Sequence, residues 1–266
     1  MSNKESTNKT IIVAFLLCLV CSIVVAGSVV LLKPTQEINK ALNLKANILA
    51  AAGLLPESNK AADIEAAFSK IDAKIVDLDT GDYVEPSVVG RKNALSYDQR
   101  KAAKNPAFSA ALPAEDDIAS IKRRVKYAKV YLVQNEGELQ TIILPISGYG
   151  LWSTLHGFVA LEKDANTIVG LGFYEHAETP GLGGEVDNPR WKAFWPGKKL
   201  FDLAESTEPK IKLVKGSVDS ASKNADFEVD GLAGATLTSR GVTNLIQFWV
   251  GENGFQLYLN RLRKEA

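Results

Sequence analysis

Between Ile11 and Leu32 the chain carries no charged side chain, and Ile, Val, Leu and Ala dominate the run. A helix rising about 1.5 Å per residue over such a run matches a hydrocarbon core of about 30 Å. The competing reading is a cleaved export signal, whose apolar core usually spans about 7–15 residues and ends at small residues. Ala26-Gly27-Ser28 is the one candidate ending, and apolar residues continue past it to Leu32. The expectation is a single transmembrane helix at residues 11–32 behind a short polar tail at 1–10. Lys4 and Lys9 precede the run, and Lys33, Lys40 and Lys45 follow it closely, so positive charge does not fix the orientation. Cys18 and Cys21 lie within the run at i and i+3. With no further ligand they cannot complete a tetrahedral metal site, and cysteine in a buried helix behaves as a small apolar residue.

The remainder of the chain has the length of one ordinary domain. Lys plus Arg and Asp plus Glu each number 31, which leaves no basic excess for nucleic acid. Both cysteines belong to the apolar run, and His156 and His176 are the only histidines. Neither a disulfide framework nor a thiolate or histidine-rich metal centre is expected. Residues 35–55 read as a juxtamembrane helix with Ile38, Leu42 and Leu49 on its apolar side, ended by Pro56-Glu57-Ser58. A second helix at 61–71 places Ile64, Phe68 and Ile71 on one face, and a strand is expected at 73–78. Residues 83–124, with Pro86, Pro106 and Pro113, read as a peripheral excursion. Within it Lys122-Arg123-Arg124 has the look of a solvated basic patch. Strand signals recur at 128–133, 141–145, 157–161 and 167–174, with hairpin turns at Asn135-Glu136-Gly137 and at 163–166. The expected fold class is α+β: an antiparallel sheet with flanking helices packed to one side, behind the membrane helix. The expected division is a juxtamembrane and peripheral region at 33–125 and a main domain at 126–266.

Three stretches carry chemistry. Asp230-Gly-Leu-Ala-Gly-Ala-Thr-Leu-Thr-Ser239 combines Gly231 and Gly234, the small Ala233 and Ala235, and the hydroxyls of Thr236, Thr238 and Ser239. Val242, Leu245, Ile246 and Trp249 then follow helical spacing. A helix start presents free N–H groups and a partial positive charge, which suits an anion, with Arg240 nearby. The ordinary alternative is a small-residue turn with an N-cap from Thr238 or Ser239. The second stretch, Gly148 to Thr154, sets Trp152 between small residues, either as core filler or as an aromatic wall beside a flat ring. The third, His176 to Pro189, is a glycine-rich loop in which Leu182 is the one apolar contact, and Glu178 and Thr179 are polar groups able to face a ligand. Its His176, Glu178, Glu185 and Asp187 do not follow the order of a calcium loop.

Asp230-Gly-x-x-Gly-Ala-Thr236 resembles the flavinylation motif of proteins that carry FMN through a phosphodiester bond to threonine. The resemblance makes Thr236 the acceptor and Asp230 part of the pattern read by the flavin transferase. The family usually has Ser or Thr where this chain has Ala233. With the anchor, the Trp152-Ser153-Thr154 turn and the loop from Glu178 to Gly183, nearly the whole chain resembles one FMN-binding family. That family is shared by the C subunit of the sodium-translocating NADH:quinone oxidoreductase and the G subunit of the Rnf complex. The extension from Gly184 to Pro189 with Trp191, and the insertion at 83–124, look more like the quinone-reductase member.

The resemblance implies that 126–266 is an FMN-binding domain with FMN covalently on Thr236. Gly234, Ala235, Leu237 and Thr238 would surround the phosphate. Trp152 and Leu182 would contact the isoalloxazine or ribityl chain, and Ser153, Glu178 and Thr179 would supply polar contacts. Gly181 and Gly183 would let the loop fold against the flavin. No catalytic residue and no metal are implied. The tail would be cytoplasmic, and the FMN domain would lie on the periplasmic side of a bacterial inner membrane. There it would relay electrons within a multi-subunit enzyme that oxidises NADH, reduces ubiquinone and exports sodium ions, and it would not be catalytic alone. Its partners would be the other subunits, the membrane and, during maturation, the flavin transferase. Two readings stay open beside this one. The first is the FMN subunit of an Rnf-type ferredoxin:NAD complex. The second is a cofactor-free membrane-anchored binding module, in which 230–239 is only a capped turn.

Overall fold

The structure is a computed structural model that describes residues 6–265. Lys4 and the start of the expected tail lie outside the described residues. Helix α1 (Thr7–Ala51) begins inside the expected tail and runs through both the expected anchor and most of the expected juxtamembrane helix, with Pro34 inside it. A proline within a helix removes one hydrogen bond and crowds the preceding turn. Here long helix-forming runs on both sides outweigh that local cost. Part of α1 is long and apolar enough to cross a membrane. Ile11, Phe15 and Ile23 stand exposed along it, the surface that lipid would cover.

The chain divides into two compact units, Met1–Leu44 and Lys45–Ala266. The second contains α2 (Ala61–Phe68), β1 (Ile71–Asp77) and β2 (Tyr83–Val84). After these come α3 (Gln99–Ala103), β3 (Ser109–Ala111) and β4 (Arg123–Val125). The main strands are β5 (Tyr127–Asn135), β6 (Glu138–Tyr149), β7 (Thr154–Glu162) and β8 (Ile168–Glu175). Four of them and the first two strands form one antiparallel six-stranded sheet in the order β2-β1-β5-β6-β7-β8. The boundary expected at 125/126 therefore does not separate two domains. Strand β1 pairs with β5 along its whole length, from Ile71 opposite Val133 to Asp77 opposite Tyr127.

Alternation explains why the central strands read as nearly continuous apolar runs. Ala128, Val130, Leu132, Ile142, Leu144, Ile146 and Val159 enter the main core, while Tyr131, Ile143 and Phe158 point to the other face. The main core is closed by the last two long helices, Thr236–Val250 and Gln256–Glu265, through Val242, Leu245, Trp249, Tyr258 and Leu259. With the short α4 (Pro189–Lys192) before them, these are α5 and α6. The other face is covered by residues 48–52 and by α2, whose Phe68 meets the edge of the Tyr131 ring. Helices thus flank both faces, where one was expected. The hairpin turn between β5 and β6 is as expected, with Glu136 at φ 52° and Gly137 at φ 87°. Strand β6 runs past Pro145 to Tyr149 paired with β7 alone, since the β5 pairing stops at Ile143, and proline is tolerated on such an edge.

The excursion at 83–124 is bonded into the domain. Tyr97 donates its hydroxyl to the Tyr127 carbonyl at 2.9 Å, and Arg100 makes a two-pronged pair with Glu175 at 2.7 and 2.8 Å. The expected basic patch is only partly solvated. Arg123 donates to the Ser109 hydroxyl and carbonyl, and Arg124 donates to the Asn253 carbonyl and to Asp79. Guanidinium groups supply several donors in a fixed fork and so reach carbonyls and hydroxyls together.

Helix α5 crosses the end of β6 at very short range. A Cβ on Gly241 would lie 2.5 Å from the Tyr149 carbonyl oxygen and 2.9 Å from the Gly150 Cα. Trp249 anchors the same crossing by donating its indole N–H to the Ser147 carbonyl at 2.7 Å. Helix propensity alone favours alanine over glycine by about 1 kcal/mol. Backbone atoms cannot rotate aside, so Gly241→Ala is expected instead to destabilise the protein by about 1–3 kcal/mol. Chemical denaturation of the purified protein followed by tryptophan fluorescence reads the sign.

Candidate functional site

Strand β9 (Lys212–Val214) pairs in parallel with β10 (Glu228–Asp230), and β10 leads directly into the Gly231–Ala235 turn. Gly231 is needed because a Cβ there would sit 2.2 Å from the Val214 carbonyl oxygen. Gly234 takes φ +71°. Helix α5 then starts at Thr236, with Ala235 as its N-cap and no side-chain cap. The cap expected from Thr238 or Ser239 is absent because both already lie within the first turn and are engaged elsewhere. Thr238 donates its hydroxyl to Glu178 at 2.8 Å, and the Ser239 hydroxyl accepts from Leu232 N at 3.0 Å. The first amides of α5 are therefore without a side-chain cap, and an uncapped helix start suits an anion.

Thr236 and Leu237 are exposed, and Ala235 and Thr238 are buried. Thr236 lines a groove of about 890 Å³, within the size range of small-molecule sites. Its walls include Phe194, Leu213, Val214 and Leu232, and its charged lining includes Lys212, Lys215 and Arg240. Arg240 was expected near an anion here. Phe194, Lys212 and Lys215 were not, although the alternation Lys210-Ile-Lys212-Leu-Val-Lys215 carries a signal for the two lysines. Asp230 is half-buried in the turn's base, where one carboxylate oxygen accepts from Val218 N at 2.8 Å and its carbonyl accepts the Trp191 indole N–H.

On the other side of the motif, Leu182 approaches Gly234, whose added Cβ would lie 3.0 Å from the leucine methyl. Leu182 closes a turn in which its N–H donates to the Thr179 carbonyl at 3.1 Å, with Pro180 and Gly181 at the centre and Gly181 at φ +75°. The Thr179 side chain is exposed to solvent. Trp152 is 65% exposed, which rules out the core-filler reading for it. Ser153 is only partly available, because its hydroxyl accepts from Ala177 N at 2.7 Å. His176 meets Asp187 at 2.8 Å.

Glu178 departs most from expectation. It is 5% exposed and does not face outward. Its oxygens accept from Leu151 N, Trp152 N and Ser153 N at 3.0–3.3 Å and from the Thr238 hydroxyl. Leu151 could not be singled out from the sequence, since a backbone donor carries no residue signature. Glycines close the space around the carboxylate: a Cβ on Gly150 or Gly183 would come within 2.6 or 2.7 Å of a Glu178 oxygen. Burial pushes the Glu178 carboxyl up, but hydrogen bonds from Trp152, Thr238, Leu151 and Ser153 outweigh it and hold the group below its usual range. A carboxyl depressed on folding contributes stability that is present above its unfolded pKa and lost as pH falls through its folded value. The stability gap between the native protein and Glu178→Gln should therefore be full at neutral pH and shrink on acidification. Denaturant melts of both proteins across an acid series measure it.

An FMN-binding domain model matches residues 150–251, which contain the glycine loop, the 230–239 motif and most of the Trp152 turn. The C subunit of the Na(+)-translocating NADH-quinone reductase of Pseudomonas aeruginosa is 54% identical over 265 residues, 99% of either chain. Its counterpart in Pasteurella multocida is 46% identical over 263 residues, covering 98% of this chain and 96% of that one. Among solved structures, Shewanella oneidensis NqrC superposes with a TM-score of 0.73 at 38% identity, over 84% of this chain and 97% of that one.

Proposed function

The chain belongs to the family of C subunits of the Na(+)-translocating NADH-quinone reductases, and on that premise we propose that Thr236 holds FMN covalently through its phosphate. The observation that carries the reading is the exposed Thr236 at the uncapped start of α5, opening on a groove with Arg240 and Lys215 in its lining. An esterified phosphate keeps one negative charge. The unpaired amides of the first turn and the two cations answer that charge. Bound there, FMN supplies reversible electron transfer.

The chain's own residues position it. Gly234 and Ala235 leave the main chain open beside the acceptor. Leu237, Trp152 and Leu182 offer exposed apolar surface to a flat ring, and Thr179 offers a polar edge. Thr238, Ser153 and Glu178 support this surface from beneath, since their polar atoms are engaged with one another and with the backbone. Asp230 is proposed as the residue that the flavin transferase reads during maturation.

The protein takes its place in a membrane complex coupling NADH oxidation and quinone reduction to sodium export. It relays electrons and is not catalytic alone. Helix α1 anchors it as a single pass, and the FMN domain is proposed to lie on the periplasmic side of the bacterial inner membrane.

The test is ultraviolet fluorescence of the denatured protein on a gel after expression in a host that contains the transferase. The native chain should give a yellow-green band, and Thr236→Val should give a dark band in equal amount. The threonine is exposed, so the variant should keep the native melting temperature. A dark band from the native chain would leave the reading without its cofactor.

A further inference from the structure

We infer that Glu178 is the positioning residue of the flavin site: its buried carboxylate ties the Trp152 turn to the first turn of α5 and sets a fixed negative charge that lowers the flavin's midpoint potential. The inference rests on the reading that Thr236 carries FMN.

The three segments meet at this one side chain. Leu151, Trp152 and Ser153 lie in the link between β6 and β7, and three consecutive amides there point at one carboxylate. One of its oxygens also receives the Thr238 hydroxyl, two residues beyond the acceptor threonine. Three amides converging on one acceptor fix the course of the backbone, so Trp152 is turned outward with 65% of its surface exposed. An indole that exposed has little packing of its own to hold it there. The glycines at 150 and 183 leave room for the carboxylate, which a Cβ at either position would meet at 2.6 or 2.7 Å.

The charge follows from the partners. Four hydrogen bonds are donated to this carboxylate, three of them from N–H groups that can only donate, and bonds donated to the charged form favour it. All four partners are neutral. They stabilise the anion without cancelling its charge, and its field reaches neighbouring groups through a poorly screened interior. Adding an electron beside a fixed anion is disfavoured, which lowers the potential.

Glutamine separates charge from position. Its carbonyl oxygen can accept from the three amides while its NH2 donates to the Thr238 oxygen, so the geometry is kept and the charge is lost. Alanine removes both, and Thr238→Val cuts the tie to α5 while keeping the charge.

Two readouts on the full-length protein in detergent decide the matter. The first is amide hydrogen exchange in the flavin-free Thr236→Val background. There Glu178→Ala should speed exchange at Leu151, Trp152 and Ser153 by about tenfold or more, and Glu178→Gln should leave it close to the parent. The second is spectroelectrochemical titration of the flavinylated protein, in which Glu178→Gln should raise the midpoint potential and Thr238→Val should not. Unchanged exchange in Glu178→Ala would overturn the positioning role, and an unchanged potential in Glu178→Gln would overturn the charge. If Glu178→Ala does not fold, Thr238→Val replaces it in the exchange arm, with faster exchange of the 151–153 amides expected from a carboxylate no longer held by α5 and unchanged exchange counting against the tie. If the native chain carries no covalent flavin, the claim about potential falls with the proposed function, while the exchange arm still decides the positioning role.

Discussion

Helix α5 can bring Thr236 to the end of the sheet only because it crosses β6 on glycine. At Gly241 the helix rests on the Tyr149 carbonyl, and at Gly148 the strand rests on Leu245, whose Cβ would lie 2.4 Å from an added methyl. A side chain at either point would lift the helix and carry Thr236 away from the β6–β7 link. The crossing is held from both sides by Trp249 on the Ser147 carbonyl and by the buried Val242, Leu245 and Ile246. A layered core thus fixes the start of a helix, and the start of that helix carries the threonine proposed to hold the flavin.

Around this crossing the molecule separates support from contact. Beside the exposed Thr236 and Thr179, the groups that point outward on the face of the β6–β7 link are apolar or bare: Trp152, Leu182, Leu237 and the backbone at Gly234. Groups that point inward are polar and satisfied: Glu178, Thr238, Ser239 and the carbonyl of Asp230. Such a division suits a site whose chemistry belongs to its cofactor, because the protein's task is to hold an orientation and an electrostatic environment. The insertion at 83–124 serves the same end. It grips Glu175 through Arg100 just before the glycine loop, and its Ala119 carbonyl takes the Tyr149 amide just before the Trp152 turn.

Local patterns are informative where one physical preference dominates. The uncharged run, the hairpin at Glu136-Gly137, the tight glycine loop around Pro180-Gly181 and the helix from Val242 to Trp249 all form as expected, since length, φ preference or apolar spacing decides each. Three kinds of feature are hidden from such patterns. The start of α5 lies earlier than its hydroxyl residues suggest, because residues that usually cap a helix are recruited into tertiary hydrogen bonds. Arg123 and Arg124 look like solvated surface because their partners, Ser109, Asp79 and the Asn253 carbonyl, lie elsewhere in the chain. The boundary at 125/126 fails because strand pairing joins β1 to β5 across the whole 83–124 excursion.

Residue type and near-neighbour spacing were enough for the apolar anchor helix, the α+β class and the order of the three chemical stretches, including the threonine proposed as acceptor. Each of these is written in a short span of chain. The direction of the chosen side chains was not, and it took the folded domain to settle it. Trp152, equally suited to core or wall by its neighbours in sequence, stands exposed, and Glu178, expected as a polar contact, is the buried anion beneath it. Where a side chain points depends on what packs behind it. Behind these two lie β6, the glycine loop and α5, segments distant in sequence that only the sheet and its helices bring together.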